Sequence, residues 1–207
     1  MADKQKGPGK QKGPGKQKGP AKRKQSSRRT VKASIKAGAQ TPARRTTQQS
    51  ATDLGLRRHL VDLLKGEGAH TGFGPALGEL PTEKSGAKPA GAPHSAWQLL
   101  EHMRLAQWDI LEFSRNPKHV SPKWPEGYWP EPDPPSGTAW AESAKAFRRD
   151  LKAMQDLVSD PSTDLFARLP HGEGQTILRE ALLVADHNSY HLGQLVLVRR
   201  LLGEWQD

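Results

Sequence analysis

The chain contains no cysteine among its 207 residues. This absence excludes a disulfide framework, a metal centre with cysteine ligands and a cysteine nucleophile. It is consistent with a reducing compartment, where disulfides rarely persist. The N-terminus carries charge where a secretory signal would have an apolar stretch, so we expect a cytoplasmic protein.

Long apolar runs are missing as well. The most apolar segment, residues 195–202, is interrupted by Arg199 and Arg200. It is also much shorter than the roughly 20 residues that a membrane-spanning helix needs, so we expect no contact with a membrane. No segment alternates apolar and polar residues as a half-buried strand would, and this favours an all-α fold.

Acidic residues are almost absent from the first 50 positions. These positions hold one of the chain's 22 acidic residues but 15 of its 32 basic ones. A Lys-Gln-Lys-Gly-Pro repeat begins at Lys4, Lys10 and Lys16, and such a composition has too little apolar surface to form a core. We therefore predict a disordered basic tail over residues 1–52, followed by a single domain over residues 53–207.

The tail has two interpretations. One is loose, salt-sensitive binding of nucleic acid or another polyanion, and the other is a solubilising segment without a specific partner. No aromatic residue lies within residues 1–52. Since base stacking needs aromatic side chains, any binding of nucleic acid is expected to be independent of base sequence.

Apolar residues at helical spacing predict four long helices, and an antiparallel four-helix bundle is the simplest way to bury their apolar faces. The predicted helices cover residues 53–65, 94–115, 138–159 and 176–203, with a shorter helical piece over residues 164–168. Thr138 is the expected N-cap of the third helix. The proline-rich connection 116–137 contains Trp124, Tyr128 and Trp129. It is expected to pack on the bundle, either as a lid over a pocket or as a rigid strap over the core.

Two histidines lie in the middle of the apolar stripe of the last helix. His187 and His191 are one turn apart on one face, so both imidazoles can reach a single cation. His102 lies on the second helix, about 60° from the centre of its apolar stripe, and can supply a third imidazole. Three protein ligands leave positions open for water or substrate, which is typical of catalytic metal sites. The alternative is that these histidines are core residues without a metal.

The sequence around these histidines resembles the DinB/YfiT-like superfamily of metalloenzymes, which is distinct from the DNA polymerase that shares the name. The resemblance rests on HSAWQLLEHM at residues 94–103 and DHNSYHLGQ at residues 186–194, and it covers about residues 54–205. It implies a four-helix bundle in which His102, His187 and His191 bind a divalent metal, zinc or nickel. Many members have a second histidine where this chain has Tyr190, which is not a ligand position.

The resemblance also implies a range of functions. Some members are thiol-dependent transferases or isomerases, and others have been proposed as hydrolases, so the expected partner is a small thiol or an electrophilic substrate. Bundles of the family often pair, which implies a homodimer. The competing interpretation is a non-catalytic, metal-stabilised bundle whose basic tail binds nucleic acid or another polyanion.

Polar neighbours of the three histidines are candidates for orienting them. A metal-bound imidazole usually donates its second N–H to an acceptor. The sequence offers four such acceptors, with the alternative that each is merely a solvated or capping group. They are Glu101, Glu180, Asp186 and Gln194. Asn188 stands where a zincin His-Glu-x-x-His motif would have its catalytic glutamate, so that mechanism is not expected.

Overall fold

The structure is a computed structural model that describes residues 42–134 and 136–206, with side chains described from Ser50 onward. The described part is helical and contains no strand, apart from an isolated bridge between Arg168 and Thr176. Most of the predicted disordered tail lies outside the described residues. The helices are α1 (Pro42–Lys65), α2 (Phe73–Ala76), α3 (Thr82–Ser85), α4 (Ala96–Arg115), α5 (Ala139–Ser159) and α6 (Ile177–Leu201).

The four long helices form the predicted four-helix bundle. Helix α4 packs against α5 and α6, and α1 packs against the same two helices. Helices α1 and α4 therefore lie on one diagonal of the bundle, and α5 and α6 on the other. The all-α fold is confirmed. None of the helices in the described residues combines the length and apolar character that crossing a lipid bilayer requires.

Helix α1 begins earlier than predicted. It starts at Pro42, whereas the expected start was residue 53, so residues 42–52 are helical. Proline is well suited to the first turn of a helix because its fixed φ matches and its missing N–H would have no partner there. The alanine, arginine and glutamine residues that follow have favourable helix propensities. On the helix surface Leu63 is 49% exposed, whereas Leu60 and Leu64 are buried.

Helix α4 carries the best-defined N-terminus in the bundle. Ser95 accepts a hydrogen bond from the backbone N–H of Gln98, whose side chain accepts one from the N–H of Ser95. This reciprocal pair is a capping box and satisfies two N–H groups that the helix leaves free. The helix ends at Arg115, and Asn116 precedes a proline, which disfavours further helix. The register of α4, and with it the position of His102, is thereby fixed.

The other helix starts and the shorter elements differ in part from expectation. Thr138 is the N-cap residue of α5, but its side chain makes no capping hydrogen bond, whereas the Thr176 side chain of α6 accepts one from Arg179. The helical piece predicted over residues 164–168 is wrong. The Asp164 carboxylate accepts hydrogen bonds from the N–H groups of Phe166 and Ala167, and this local bonding stabilises a turn instead of a helix.

Candidate metal centre

Helices α4 and α6 bring three imidazoles together inside the bundle. The rings of His187 and His191 have centroids 4.6 Å apart on α6. The His102 ring of α4 lies 4.9 Å from the first and 4.6 Å from the second. One nitrogen from each of the three residues lies within 4.8 Å of the other two. The convergence predicted from the helical spacing is therefore present, and we refer to these residues as the histidine cluster.

Burial keeps the cluster uncharged near neutral pH. His102 is 2% exposed and His191 is 7% exposed, while His187 is partly buried. Loss of solvation lowers the pKa of His102 to about 4, against a hydrogen bond to the Tyr128 carbonyl that raises it. Loss of solvation, with the neighbouring His191, lowers the pKa of His187 to about 4. Burial also lowers the pKa of His191. Neutral imidazoles offer the lone pairs that a metal ion needs.

Hydrogen bonds on the outer nitrogens orient two of the rings. His102 Nδ1–H donates to the backbone carbonyl of Tyr128 over 3.0 Å. His191 Nδ1–H donates to Oε1 of Gln194 over 2.8 Å. Since a neutral imidazole carries only one N–H, the Nε2 atoms of both residues keep their lone pairs. Outer acceptors of this kind are the usual means by which proteins fix metal-binding histidines.

The proline-rich connection covers the cluster as a strap. The Trp129 ring stacks on the His102 ring at 3.8 Å with an interplanar angle of 4°, and the His94 ring stacks on Trp129 at 4.0 Å. Two carbonyls of the strap accept hydrogen bonds from the N-terminal turn of α4: Pro132 from Ser95 Oγ and Pro130 from Gln98 Nε2. The segment was predicted to be a lid over a pocket or a strap over the core, and it is a strap over the histidine cluster.

A polar network anchors this strap to α4. Tyr128, which is buried, donates its hydroxyl to Asp109 Oδ2 over 2.6 Å. The other oxygen of Asp109 contacts His119 Nε2 at 2.7 Å. Burial and the Asp109 carboxylate raise the pKa of Tyr128 to about 12, so the hydroxyl remains a donor. Asp109 and His119 thus hold the residue whose carbonyl orients His102, a role for which the sequence carries no signal.

Comparison with known families is consistent with this geometry. The sequence model of the DinB superfamily matches residues 68–195, which is more than half of the chain and includes the entire histidine cluster. The chain belongs to the DinB superfamily. Comparisons with curated proteins and with solved structures give no significant match.

The cluster of this DinB bundle fits a divalent metal ion. Nε2 of His102 and Nε2 of His187 lie 3.1 Å apart. Two such nitrogens approach this closely only when a proton lies between them or when both face a cation. The outer nitrogen of His187, Nδ1, is buried without a hydrogen bond, as is Oδ1 of Asn188. Three nitrogen donors without thiolates suit zinc, nickel or copper better than the hard cations calcium and magnesium.

Of the four polar candidates around the histidine cluster, the structure places Gln194 in contact with a cluster histidine, His191. Glu101 instead accepts hydrogen bonds from Arg104 and Ser143. Glu180 is buried and pairs with Arg179 at 2.7 Å, and Asp186 is exposed. All four residues lie within one or two helical turns of a cluster histidine. Of these side chains, that of Gln194, three residues after His191, contacts the imidazole.

The remaining described histidines lie outside the cluster. His59 and His70 are exposed, and His171 Nε2 contacts the carbonyl of Phe113 at 2.7 Å. His94 was predicted to begin the second helix, but it precedes the Ser95 cap and lies against Trp129. Its position beside the histidine cluster could not be predicted, because Trp129, through which it stacks, lies in a loop and loops have no periodic sequence pattern.

Proposed function

We propose that this protein is a metal-dependent enzyme of the DinB type in which His102, His187 and His191 bind one divalent cation, zinc or nickel. The proposal depends chiefly on the convergence of one nitrogen from each of the three histidines, all within 4.8 Å of one another, in a buried cluster whose pKa values are lowered. Three protein ligands leave coordination positions open for a substrate. A cation bound there would lower the pKa of a coordinated thiol or water and so supply a nucleophile near neutral pH.

The residues of the chain have separate parts in this function. The Tyr128 carbonyl and Gln194 hold the His102 and His191 rings with their Nε2 atoms inward. Trp129 covers one face of His102 and excludes water from it. A site shielded from water strengthens the electrostatic interactions within it.

Thiol transfer is better supported than hydrolysis. Hydrolysis of the zincin type relies on a glutamate as general base, and Asn188 occupies that position. The acidic residues predicted near the cluster do not contact an imidazole: Glu101 and Glu180 pair with arginines, and Asp186 is exposed. A thiol needs only to lose its proton to become a good nucleophile. We therefore propose transfer of a small thiol to an electrophilic substrate as the activity of this site.

Metal analysis of the full chain, purified without a histidine tag, tests the metal site directly. We expect about one equivalent of metal per chain in the wild type and none in His191→Ala. His59→Ala is the matched control, since His59 is exposed on α1, and it should retain the metal. A wild type that stays metal-free after incubation with zinc and with nickel would refute the proposal.

A thiol-transfer assay separates an enzyme from a metal-stabilised bundle. The metal-loaded protein is mixed with a small thiol and 1-chloro-2,4-dinitrobenzene, and the product is followed by absorbance. We expect turnover in the wild type and in His59→Ala, and only the uncatalysed rate in His191→Ala and His187→Ala. Equal rates in all four proteins would favour the non-catalytic interpretation.

A second function, binding of nucleic acid or another polyanion, is supported by the distribution of charge. The first 50 residues hold 15 of the 32 basic residues and one acidic residue. The rest of the chain holds 17 basic and 21 acidic residues, so polyanion binding is expected to depend on the tail and not on the bundle.

A further inference from the structure

An apolar cavity lies beside the histidine cluster in the groove between α4 and α6. Its volume is about 350 Å³, at the lower end of the range for small-molecule sites. Its walls are mostly aliphatic: they include Ala92, Pro93, Leu99, Leu197, Val198 and Leu201. Leu99 and Val198 are buried, whereas Leu197 and Leu201 are each 57% exposed and form the rim.

Two polar residues in the cavity lining connect it to the histidine cluster. Two side chains able to form hydrogen bonds, His94 and Gln194, line the cavity. Gln194 also accepts the hydrogen bond from His191. His94 stacks on Trp129, which in turn stacks on His102. Gln194 therefore contacts a cluster histidine directly, and His94 is linked to one through Trp129.

We propose that this cavity binds the aliphatic part of a substrate whose metal-binding head group lies at the histidine cluster. The occupant is thus an amphiphilic small molecule with a short hydrocarbon tail, and not a fully polar sugar or peptide. The apolar walls give a favourable transfer free energy to methylene groups, while unpaired polar groups placed against them would lose solvation without compensation. This inference rests on the proposed function, since it requires an occupied metal site.

The test uses hydroxamates of increasing chain length as probes, because a hydroxamate head binds metal ions without any reaction. Acetohydroxamate, butanohydroxamate and hexanohydroxamate are titrated into the full-length, zinc-loaded protein, and affinities are measured by calorimetry. We expect the affinity to rise about fourfold for each added methylene, as full burial of that group predicts. A chain-length dependence that is absent in the wild type would overturn the proposal.

Rim variants locate the effect. Leu197→Gln and Leu201→Gln replace exposed rim leucines, so the bundle should remain folded. They should reduce the gain to less than about twofold per methylene and leave acetohydroxamate binding unchanged. Leu182→Gln is the matched control, since Leu182 lies on α6, is 44% exposed and does not line the cavity. If the rim variants keep the wild-type gain, the tail lies elsewhere and the proposal is wrong.

Failure of the metal site gives a different result. If the protein takes up no zinc, or if zinc-loaded protein does not bind even acetohydroxamate, the proposed function fails and this inference fails with it. If acetohydroxamate binds and the longer probes gain nothing, the metal site stands and only the cavity assignment is overturned.

Discussion

His102 Nδ1–H donates to the backbone carbonyl of Tyr128, 26 positions further along the chain, over 3.0 Å. The orientation of this imidazole is therefore set by the strap as well as by its own helix. The Tyr128 hydroxyl donates to Asp109 of α4. Helix α4 therefore fixes the position of the strap, and the strap in turn fixes the orientation of the His102 ring. The geometry of the cluster consequently depends on residues that do not belong to it.

The first prediction concerns this anchor. Tyr128→Phe removes the hydroxyl bond to Asp109 but keeps the backbone carbonyl, and we expect the metal affinity to fall about tenfold, as for other outer partners of metal ligands. Competition with a chromogenic chelator measures the effect. Tyr190→Phe is the control, because Tyr190 is 65% exposed and meets His191 through its ring. Equal affinities in Tyr128→Phe and the wild type would show that the strap does not orient His102.

The second prediction concerns Gln194. Gln194→Met keeps the length of the side chain but removes the acceptor for His191 Nδ1–H. We expect a loss of metal affinity of about 10- to 100-fold. Gln194→Glu should restore the affinity, since a carboxylate accepts the same hydrogen bond and makes the imidazole a stronger ligand. If Gln194→Met binds metal as tightly as the wild type, the outer hydrogen bond has no part in the site.

The cluster was predictable from sequence to the extent that helices carry it. His187 and His191 are one turn apart on an apolar face, and a regular helix fixes that relationship. His102 was predicted to lie about 60° from the centre of the apolar stripe, yet it is 2% exposed, and Trp129 stacks on it. The contacts of Trp129, Asp109 and His119 could not be derived, since a proline-rich segment without periodicity gives no register against a helix.

The predicted bounds of two helical segments differ from the structure, and in each the hydrophobic pattern was not decisive. The segment 42–52 is polar and has no apolar face, so its helix in α1 gives no periodic signal. Residues 164–168, by contrast, have a helix-like pattern but form a turn. The Asp164 carboxylate accepts hydrogen bonds from the nearby backbone N–H groups, and no helix forms there. In both cases the hydrophobic pattern was the weaker determinant of local structure.

The third prediction concerns pH and follows from the lowered pKa values. His102 and His187 titrate at about 4 in the folded, metal-free chain and at about 6.5 when unfolded. Below pH 6.5 the unfolded chain therefore binds protons that the folded chain does not, so the free energy of unfolding should fall as the pH drops from about 6.5 to about 4. Urea unfolding followed by circular dichroism at several pH values measures this slope.

Variants assign the slope to the cluster. His187→Gln should reduce the pH dependence in that window, whereas His59→Gln should not, because His59 is exposed. Asp160, whose pKa is lowered by its hydrogen bonds with Ser162, acts in a lower window, below about pH 4. A metal-free protein with constant stability between pH 6.5 and pH 4.5 would show that the histidines are not buried as neutral groups.

The fourth prediction concerns the acidic candidates that do not reach the cluster. Glu101→Gln breaks a partly buried ion pair with Arg104 and weakens the bond from Ser143, so it should lower the free energy of unfolding by about 1 kcal/mol. It should leave the metal affinity unchanged, as should Asp186→Asn at an exposed position. Thermal unfolding and chelator competition on the same samples separate the two effects. A metal affinity reduced tenfold in either variant would assign that carboxylate to the site.

The fifth prediction concerns the basic tail. Deletion of residues 1–41 leaves α1 intact, because that helix begins at Pro42. Fluorescence anisotropy with a labelled DNA duplex should show binding by the full chain and none by the deleted chain. Since the binding is electrostatic, the affinity should fall by more than about tenfold between 50 and 200 mM salt. Two duplexes of unrelated sequence should bind equally, because the tail has no aromatic side chain to distinguish bases.

The metal content should be the same with and without the tail. Full binding by the deleted chain would instead place the polyanion surface on the bundle, against the excess of acidic residues there.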